Sequence, residues 1–386
     1  MKKIYFILVM FLVATIGYSQ PLTPTLKYSN AAYAWNTGVH SRDMSLSNDT
    51  IYATDKNTKA IHKISTVDGT EFTDRMWAND MFTGFSITHD DVGNSYVTSS
   101  AWGMTNNIQG TLTVGNTSTY ANTALSGTGR IDFVEAFGDF SSSALLAGAS
   151  TNSDVISVWQ ITNGAFVNAA APVVFNNPRG GDVGVGADIK WMDGTRILVT
   201  GQSLTPSIVT LDLSNGTASR TLVGTATYPV GGSGYFEWEG TPYVVLPTDG
   251  LGQFTVLDIT DPALPDPVAV NTTKIGETLN NSYHVGFETQ VEGNVVTIHV
   301  WSPNNGLAGF ELDMTTLGIE DVIDKTSVLR TSSGITVTFE GEGAIELYNI
   351  NGRLIDKANA YNSYSRDLER GAYIIRVNGK AVKFVR

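Results

Sequence analysis

Short alternating segments return six times between residues 40 and 314, and this recurrence constrains the fold more than any other feature of the chain. The first unit holds Asp43–Leu46, Thr50–Thr54 and Ala60–Ile64; the second Phe85–Ile87, Ser95–Thr98 and Thr111–Val114; the third Ile131–Ala136, Ala144–Ala147 and Val155–Ile161. The fourth holds Ala187–Met192, Arg196–Thr200 and Ile208–Leu213; the fifth Tyr235–Glu237, Tyr243–Leu246 and Phe254–Ile259; the sixth Val285–Thr289, Val295–Val300 and Ala308–Leu312. Apolar and polar residues alternate with a period of two, which suits strands and not helices. Asp68-Gly69, Asn163-Gly164 and Asn215-Gly216 follow the third segments, where a tight hairpin needs positive φ.

Units spaced roughly 43 to 55 residues apart fit the blades of a propeller. The sequence therefore predicts an all-β chain built on a six-bladed β-propeller, with seven blades or an open sandwich as alternatives. The sixth unit shows three strands, and the strand-like segment Thr25–Ala34 is expected to supply its outer strand and remove an exposed edge. Ile51-Tyr52-Ala53-Thr54-Asp55-Lys56-Asn57 with Ile61-His62-Lys63-Ile64 resembles blades of NHL-like and lactonase-like propellers. Phe254-Thr255-Val256-Leu257-Asp258-Ile259-Thr260-Asp261-Pro262 is similar to the LVIVD type of propeller repeat.

Both ends of the chain read as addresses. Lys2 and Lys3 precede an apolar run from Ile4 to Ile16, too short for a membrane span, and Gly17-Tyr18-Ser19 places small residues at a cleavage site. A signal peptide over residues 1–19 is predicted, with Gln20 as the alternative last leader residue; an uncleaved anchor is the other reading. No later segment is long and apolar enough to span a membrane. The chain has no Cys, so disulfides, thiolate metal sites and lipid attachment at cysteine are chemically closed to it.

The formal net charge of −13 argues against nucleic acid or anionic lipid as a partner. Charge also changes along the chain: residues 21–318 carry −16, whereas residues 319–386 hold 10 bases and 9 acids. That shift places a propeller domain over 20–317, a linker over 318–326 and a separate domain over 327–386. Seven short strands and the turns Asn351-Gly352 and Asn378-Gly379 suit a small Ig-like antiparallel β-sandwich. Ile345-Glu346-Leu347-Tyr348-Asn349-Ile350-Asn351-Gly352-Arg353-Leu354 and Leu368-Glu369-Arg370-Gly371-Ala372-Tyr373-Ile374-Ile375-Arg376-Val377 resemble the paired motifs of type IX secretion C-terminal sorting domains. Lys383-Phe384-Val385-Arg386 ends the chain as those domains end. The resemblance implies that Tyr348, Gly352, Leu368, Gly371, Tyr373 and Lys383 form a sorting motif read by the type IX machinery. It further implies Sec export followed by release into the medium or attachment to the outer-membrane surface of a Gram-negative cell. An ordinary Ig-like accessory module is the alternative.

No catalytic set stands out in the sequence. P-loop, Rossmann, H-E-x-x-H and G-x-S-x-G patterns are missing, and the five histidines, His40, His62, His89, His284 and His299, keep no short metal-ligand spacing. Propeller sites are assembled from different blades, so residues that enter the inner strands are the candidates. Asp43, Asp132 and Asp188 with His284 would favour a Ca²⁺ or Mg²⁺ ion in the channel; capping and ion pairing are the other use of such residues. Trp102, Trp301, Asn304, Tyr283 and His284 form a second candidate set, because Trp beside Asn can stack on a sugar ring and bond its hydroxyls. Trp35 and Trp77 are expected to wedge between blades, and Trp159, Trp191 and Trp238 to lie in the core. Two functions follow: an extracellular binding or adhesion module for glycan or protein, or a secreted metal-dependent, lactonase-like hydrolase. A purely structural envelope component is the third.

Overall fold

The computed structural model describes residues 21–385 except 31–32, 37–42, 56, 59, 78–85, 100–106, 114–121, 127–130, 151–153, 177–187, 281–283, 315–319, 324–325, 332, 351, 370 and 379. Every named element is a strand, and two compact units divide the described chain, Pro21–Met314 and one containing Thr315–Arg386.

The first unit begins with β1 (Thr25–Asn30). Sheet 1 follows with β2 (Met44–Ser47), β3 (Thr50–Asp55), β4 (Ala60–Ser65) and β5 (Glu71–Trp77), and sheet 2 with β6 (Ser86–His89), β7 (Ser95–Ser99), β8 (Asn107–Thr113) and β9 (Asn122–Ser126). Sheet 3 holds β10 (Ile131–Asp139), β11 (Ser143–Ser150) and β12 (Val155–Thr162), with β13 (Ala165–Phe166) and β14 (Val173–Asn176) both pairing with β12. Sheet 4 holds β15 (Asp188–Trp191), β16 (Arg196–Thr200), β17 (Ser207–Asp212) and β18 (Thr217–Leu222). Sheet 5 holds β19 (Gly234–Trp238), β20 (Thr241–Pro247), β21 (Phe254–Asp258) and β22 (Asp266–Asn271). Sheet 6 holds β23 (Gly286–Glu292), β24 (Val295–Ser302) and β25 (Gly306–Asp313), and β1 completes it by pairing antiparallel with β25, Asn30 opposite Leu307.

Among the described residues no sheet closes on itself. The ring is made by packing: β2 lies beside β6, β6 beside β10, β10 beside β15, β15 beside β19, β19 beside β23, and β23 beside β2. Each sheet therefore stands between two cores, and its middle strands must be apolar on both faces. In β16, Ile197 and Val199 pack toward sheet 3 against Val158 and Phe175. Leu198, between them, points the other way and packs against Val244 and Leu257 of sheet 5. The pleat sends alternate residues to alternate seams, so the run Ile197-Leu198-Val199 has no solvent face.

Strand ends are set by local chemistry. Asn163 and Gly164 adopt φ of 49° and 75° between β12 and β13, the geometry of a two-residue hairpin. Asp139, Asp193, Asp212 and Asp258 each end a strand or follow one, and each accepts the backbone N–H two residues on. These side chains offer the chain a turn in place of another ladder bond.

The second unit is one six-stranded system: β26 (Glu320–Ile323), β27 (Thr326–Arg330), β28 (Gly334–Asn349), β29 (Leu354–Asp367), β30 (Ala372–Val377) and β31 (Lys380–Val385). Part of the expected linker is thus strand β26. Ile335–Phe339 and Ala344–Tyr348 lie on one long strand, β28, in place of two of the seven short strands expected, because the irregularity between Thr338 and Glu342, with Gly341 at φ 81°, bends it without breaking it. β29 turns the same corner at Asn362 (φ 63°), whose side chain accepts the Gly341 N–H. The fold-over brings Tyr364 Oη to 2.7 Å from Asp356 Oδ2 on the same strand. Both halves of β28 contribute to one core, Val337 and Phe339 with Ile345 and Leu347.

Candidate functional site

The interior of the ring is where the sequence placed its metal candidates, and the structure shows what these side chains do. Asp43, just before β2, is buried; its Oδ2 accepts the Ser86 hydroxyl at 2.6 Å and the Ile87 N–H at 3.0 Å, both on the neighbouring sheet. Asp188 repeats the arrangement, its Oδ2 accepting the N–H of Ser233, just before β19 of sheet 5, at 2.9 Å. Ser86 Oγ in turn accepts the Val134 N–H of sheet 3, and Thr88 Oγ1 accepts the Ala136 N–H. These bonds sew sheet 1 to sheet 2, sheet 2 to sheet 3, and sheet 4 to the approach to sheet 5. Asp132 is also buried, and among the described residues no group of three His, Asp or Glu could hold a metal ion. Through their inter-sheet hydrogen bonds Asp43 and Asp188 act as clamps.

Polar groups that the sequence did not single out meet inside the ring. Lys190 of β15 places its Nζ 3.0 Å from Glu135 Oε1 on β10 and 2.9 Å from Glu288 Oε1 on β23. Sheets 4 and 6 are not neighbours, so the second contact crosses the interior. The three side chains are 12%, 22% and 16% exposed. Burial pushes the Glu135 carboxyl up to about 8 and raises Glu288, while Lys190, despite burial, is held well above its ordinary value by Glu135 and Glu288. Burial likewise lifts Asp43 to about 7. A second crossing lies nearby: the rings of Phe133 (sheet 3) and His284 (before β23) stack at 4.0 Å and 16°, and His284 Nε2 lies 3.8 Å from Asp188 Oδ2.

The aromatic candidates need correction. Trp301 is fully buried in the seam between sheets 6 and 1, stacked on Trp35 at 5.2 Å. Trp35 also stacks against His62 at 3.7 Å and donates its indole N–H to Glu71. Sealed in this seam, Trp301 cannot platform a sugar; an indole on a middle strand has a core on either side. His284 is buried as well. Asn304 is partly buried in a turn at φ 70°, its N–H bonded to Asn36 Oδ1 and its amide to the Leu279 carbonyl. Trp102 and Tyr283 lie outside the described residues, as does the side chain of Trp77. Trp159 and Trp191 are buried and donate across seams, to the Ser126 and Glu135 carbonyls.

In the second unit, Leu368 and Tyr373 share the core, and Tyr373 Oη donates to the Glu369 carbonyl at 2.6 Å. Tyr348 lies on β28 with the Arg376 guanidinium 5.5 Å above its ring. Gly352 takes φ 78° in the turn before β29, Gly371 precedes β30, and Lys383 is on β31, its side chain outside the described residues.

The radial sheets joined by their first strands define the class of the first unit, a β-propeller. Comparison with known proteins adds the following. No protein-family model and no curated protein matches the chain. A DUF4623 family protein from Bacteroides eggerthii DSM 20697 is similar in structure at 12% identity and a TM-score of 0.53, over 76% of this chain and 76% of that one. Kuenenia stuttgartiensis hydrazine synthase matches at 14% identity and 0.45, over 71% and 84%. The WD40 β-propeller domain of Doa1 matches at 9% and 0.41, over 75% and 81%. The first likeness is one of fold alone. No described helix is long and apolar enough to cross a membrane.

Proposed function

We propose that the chain is an exported six-bladed β-propeller that acts as a binding or adhesion module, delivered across the outer membrane by the type IX route through an Ig-like sorting domain at residues 327–386. The observation that carries the binding half of this reading is the occupied interior of the ring. Among the described residues, the Lys190 bridge and the Phe133–His284 stack reach across that interior, where a channel enzyme would hold its substrate. Recognition then falls to the loops, with an extracellular glycan or protein as the ligand. The export half rests on the two motif segments, whose Ile345 and Leu347, and Leu368 and Tyr373, pack in one core within a unit that has its own interior.

Deleting Leu368–Arg386 is expected to leave the propeller folded and to hold the protein in the periplasm, cleaved after Ser19. Fractionation with N-terminal sequencing reads both results. Undiminished appearance of the truncated protein on the surface or in the medium sinks the sorting assignment. Calorimetry with Ca²⁺ and Mg²⁺ addresses the enzyme reading: Asp43 and Asp188 are engaged by backbone donors, so no heat of binding at the channel is expected.

A further inference from the structure

Exposed apolar side chains gather in one stretch of the second unit. Ile350, Leu354, Ile355 and Tyr361 are all exposed, in the turn before β29 and along its first half. β29 pairs with β28 from Leu354 to Asp367 and, among the described residues, with no other strand, so its far edge is open. An open edge presents unpaired N–H and C=O groups, which an added strand satisfies. We propose that residues 355–361 of β29 pair antiparallel with the same residues of a second copy of the chain, making a two-fold dimer.

The residues of this edge complement themselves. A two-fold axis sets a segment against its own twin in the antiparallel sense, and the pairing that suits these residues is centred on Ala358. It places Ile355 opposite Tyr361 of the second copy, and does so twice, an aliphatic–aromatic cross-strand pair each time. Asp356 then meets Ala360 and Lys357 meets Asn359, so no like charges face each other. An axis moved to Lys357 sets that lysine against its twin. Moved to Asn359, it leaves Ile355 facing Ser363 and Tyr361 facing Lys357. The irregularity between Leu354 and Asp356 and the positive φ of Asn362 bound the run on either side.

Charges commonly guard a strand edge against such pairing, but here they are engaged inside the unit. Lys357 Nζ donates to Glu346 Oε1 on β28 at 2.8 Å. Asp356 Oδ2 accepts the Tyr364 hydroxyl at 2.7 Å and lies 3.6 Å from the Arg366 guanidinium. Ala358 and Ala360, at alternate positions, pack against the unit's own core. What the edge offers a partner is therefore Ile355, 38% exposed, and Tyr361, 70% exposed. Each dimer carries two propellers, so a binding module of the kind proposed above meets its ligand twice. The pairing itself does not depend on the export route.

The test is sedimentation of the chain over residues 20–386. At about 100 µM it should run as a dimer that dissociates on dilution, because a short edge buries little surface. Tyr361→Lys should leave a monomer at that concentration. Ile355→Glu combined with Tyr361→Lys sets opposite charges across both pairs and should bring the dimer back. Tyr361 is exposed, so its replacement should leave the fold intact; Ile355→Lys repeats the test should it not. The chain has no Cys, so a single introduced thiol reads the register. Ala358→Cys lies on the axis, about 4.5–5.5 Å from its twin between Cα atoms, and should crosslink under mild oxidation. Asn359→Cys stands two residues out of step with its twin, about 7 Å along the strand, and should stay reduced. A wild type that is monomeric at about 100 µM, a dimer untouched by Tyr361→Lys, or equal crosslinking of the two thiol variants would each overturn the pairing.

Discussion

Replacing Tyr28 by alanine is expected to destabilise the propeller by about 3–5 kcal/mol, the cost of emptying a large buried aromatic site. Tyr28 is the one residue of β1 that is fully in the core, and it holds the last sheet shut. Its hydroxyl lies 2.8 Å from His299 Nδ1 on β24, and its ring lies over Gly309 of β25, where a Cβ would come within 2.5 Å of it. Burial lowers His299 to about 4, so a neutral imidazole meets the phenol. Alanine would leave a void between sheets 6 and 1 and strip His299 of this partner in a dry core, where an unmet polar group costs more. Tyr28→Phe keeps the ring and removes only the hydrogen bond, at a cost of about 1 kcal/mol. Denaturant unfolding of both variants decides the matter. Equal losses would show that β1 is held by its ladder to β25 and not by this side chain.

The second large effect is expected at Gly232, between sheets 4 and 5. Its φ of 116° is closed to most side chains, and a Cβ there would lie 1.8 Å from the Val285 carbonyl oxygen. That oxygen cannot rotate away, because Gly231 and His284 form a parallel bridge and the Val285 N–H donates to the Gly231 carbonyl at 3.0 Å. Gly232→Ala must therefore push sheet 6 from sheet 5, at a cost of about 3 kcal/mol or more. Hydrogen exchange at Val285 reads the seam directly and should accelerate well before global unfolding. Unchanged exchange and stability would mean that the two segments separate freely. Gly240, by contrast, has nothing within 4 Å of such a Cβ, and serves as a turn residue.

Much of the architecture is legible in the residues because strand, turn and two-sided burial are local matters. The alternation in Ala60–Ser65, the hairpin at Asn163-Gly164 and the apolar run Ile197-Leu198-Val199 each follow from short stretches of chain. Outer strands such as Thr217–Leu222 were harder to read. They are almost wholly exposed, carry no apolar rhythm, and exist because β17 offers a free edge. Trp301 misleads for a related reason. Followed by Ser-Pro-Asn-Asn it looks like a loop residue, yet it lies on β24, pairs with Gly286 and Leu307, and is sealed by Trp35.

By itself the sequence determined an all-β chain of repeated short sheets and a compositionally distinct C-terminal unit, since periodicity and turn chemistry act between near neighbours. Only the tertiary structure decided the fate of the charged residues on the first strands. Lys190 stands 55 residues from Glu135 and 98 from Glu288, and nothing in their local patterns joins them. The ring does, by turning first strands from separate sheets toward one axis, where burial makes their charges answer to each other.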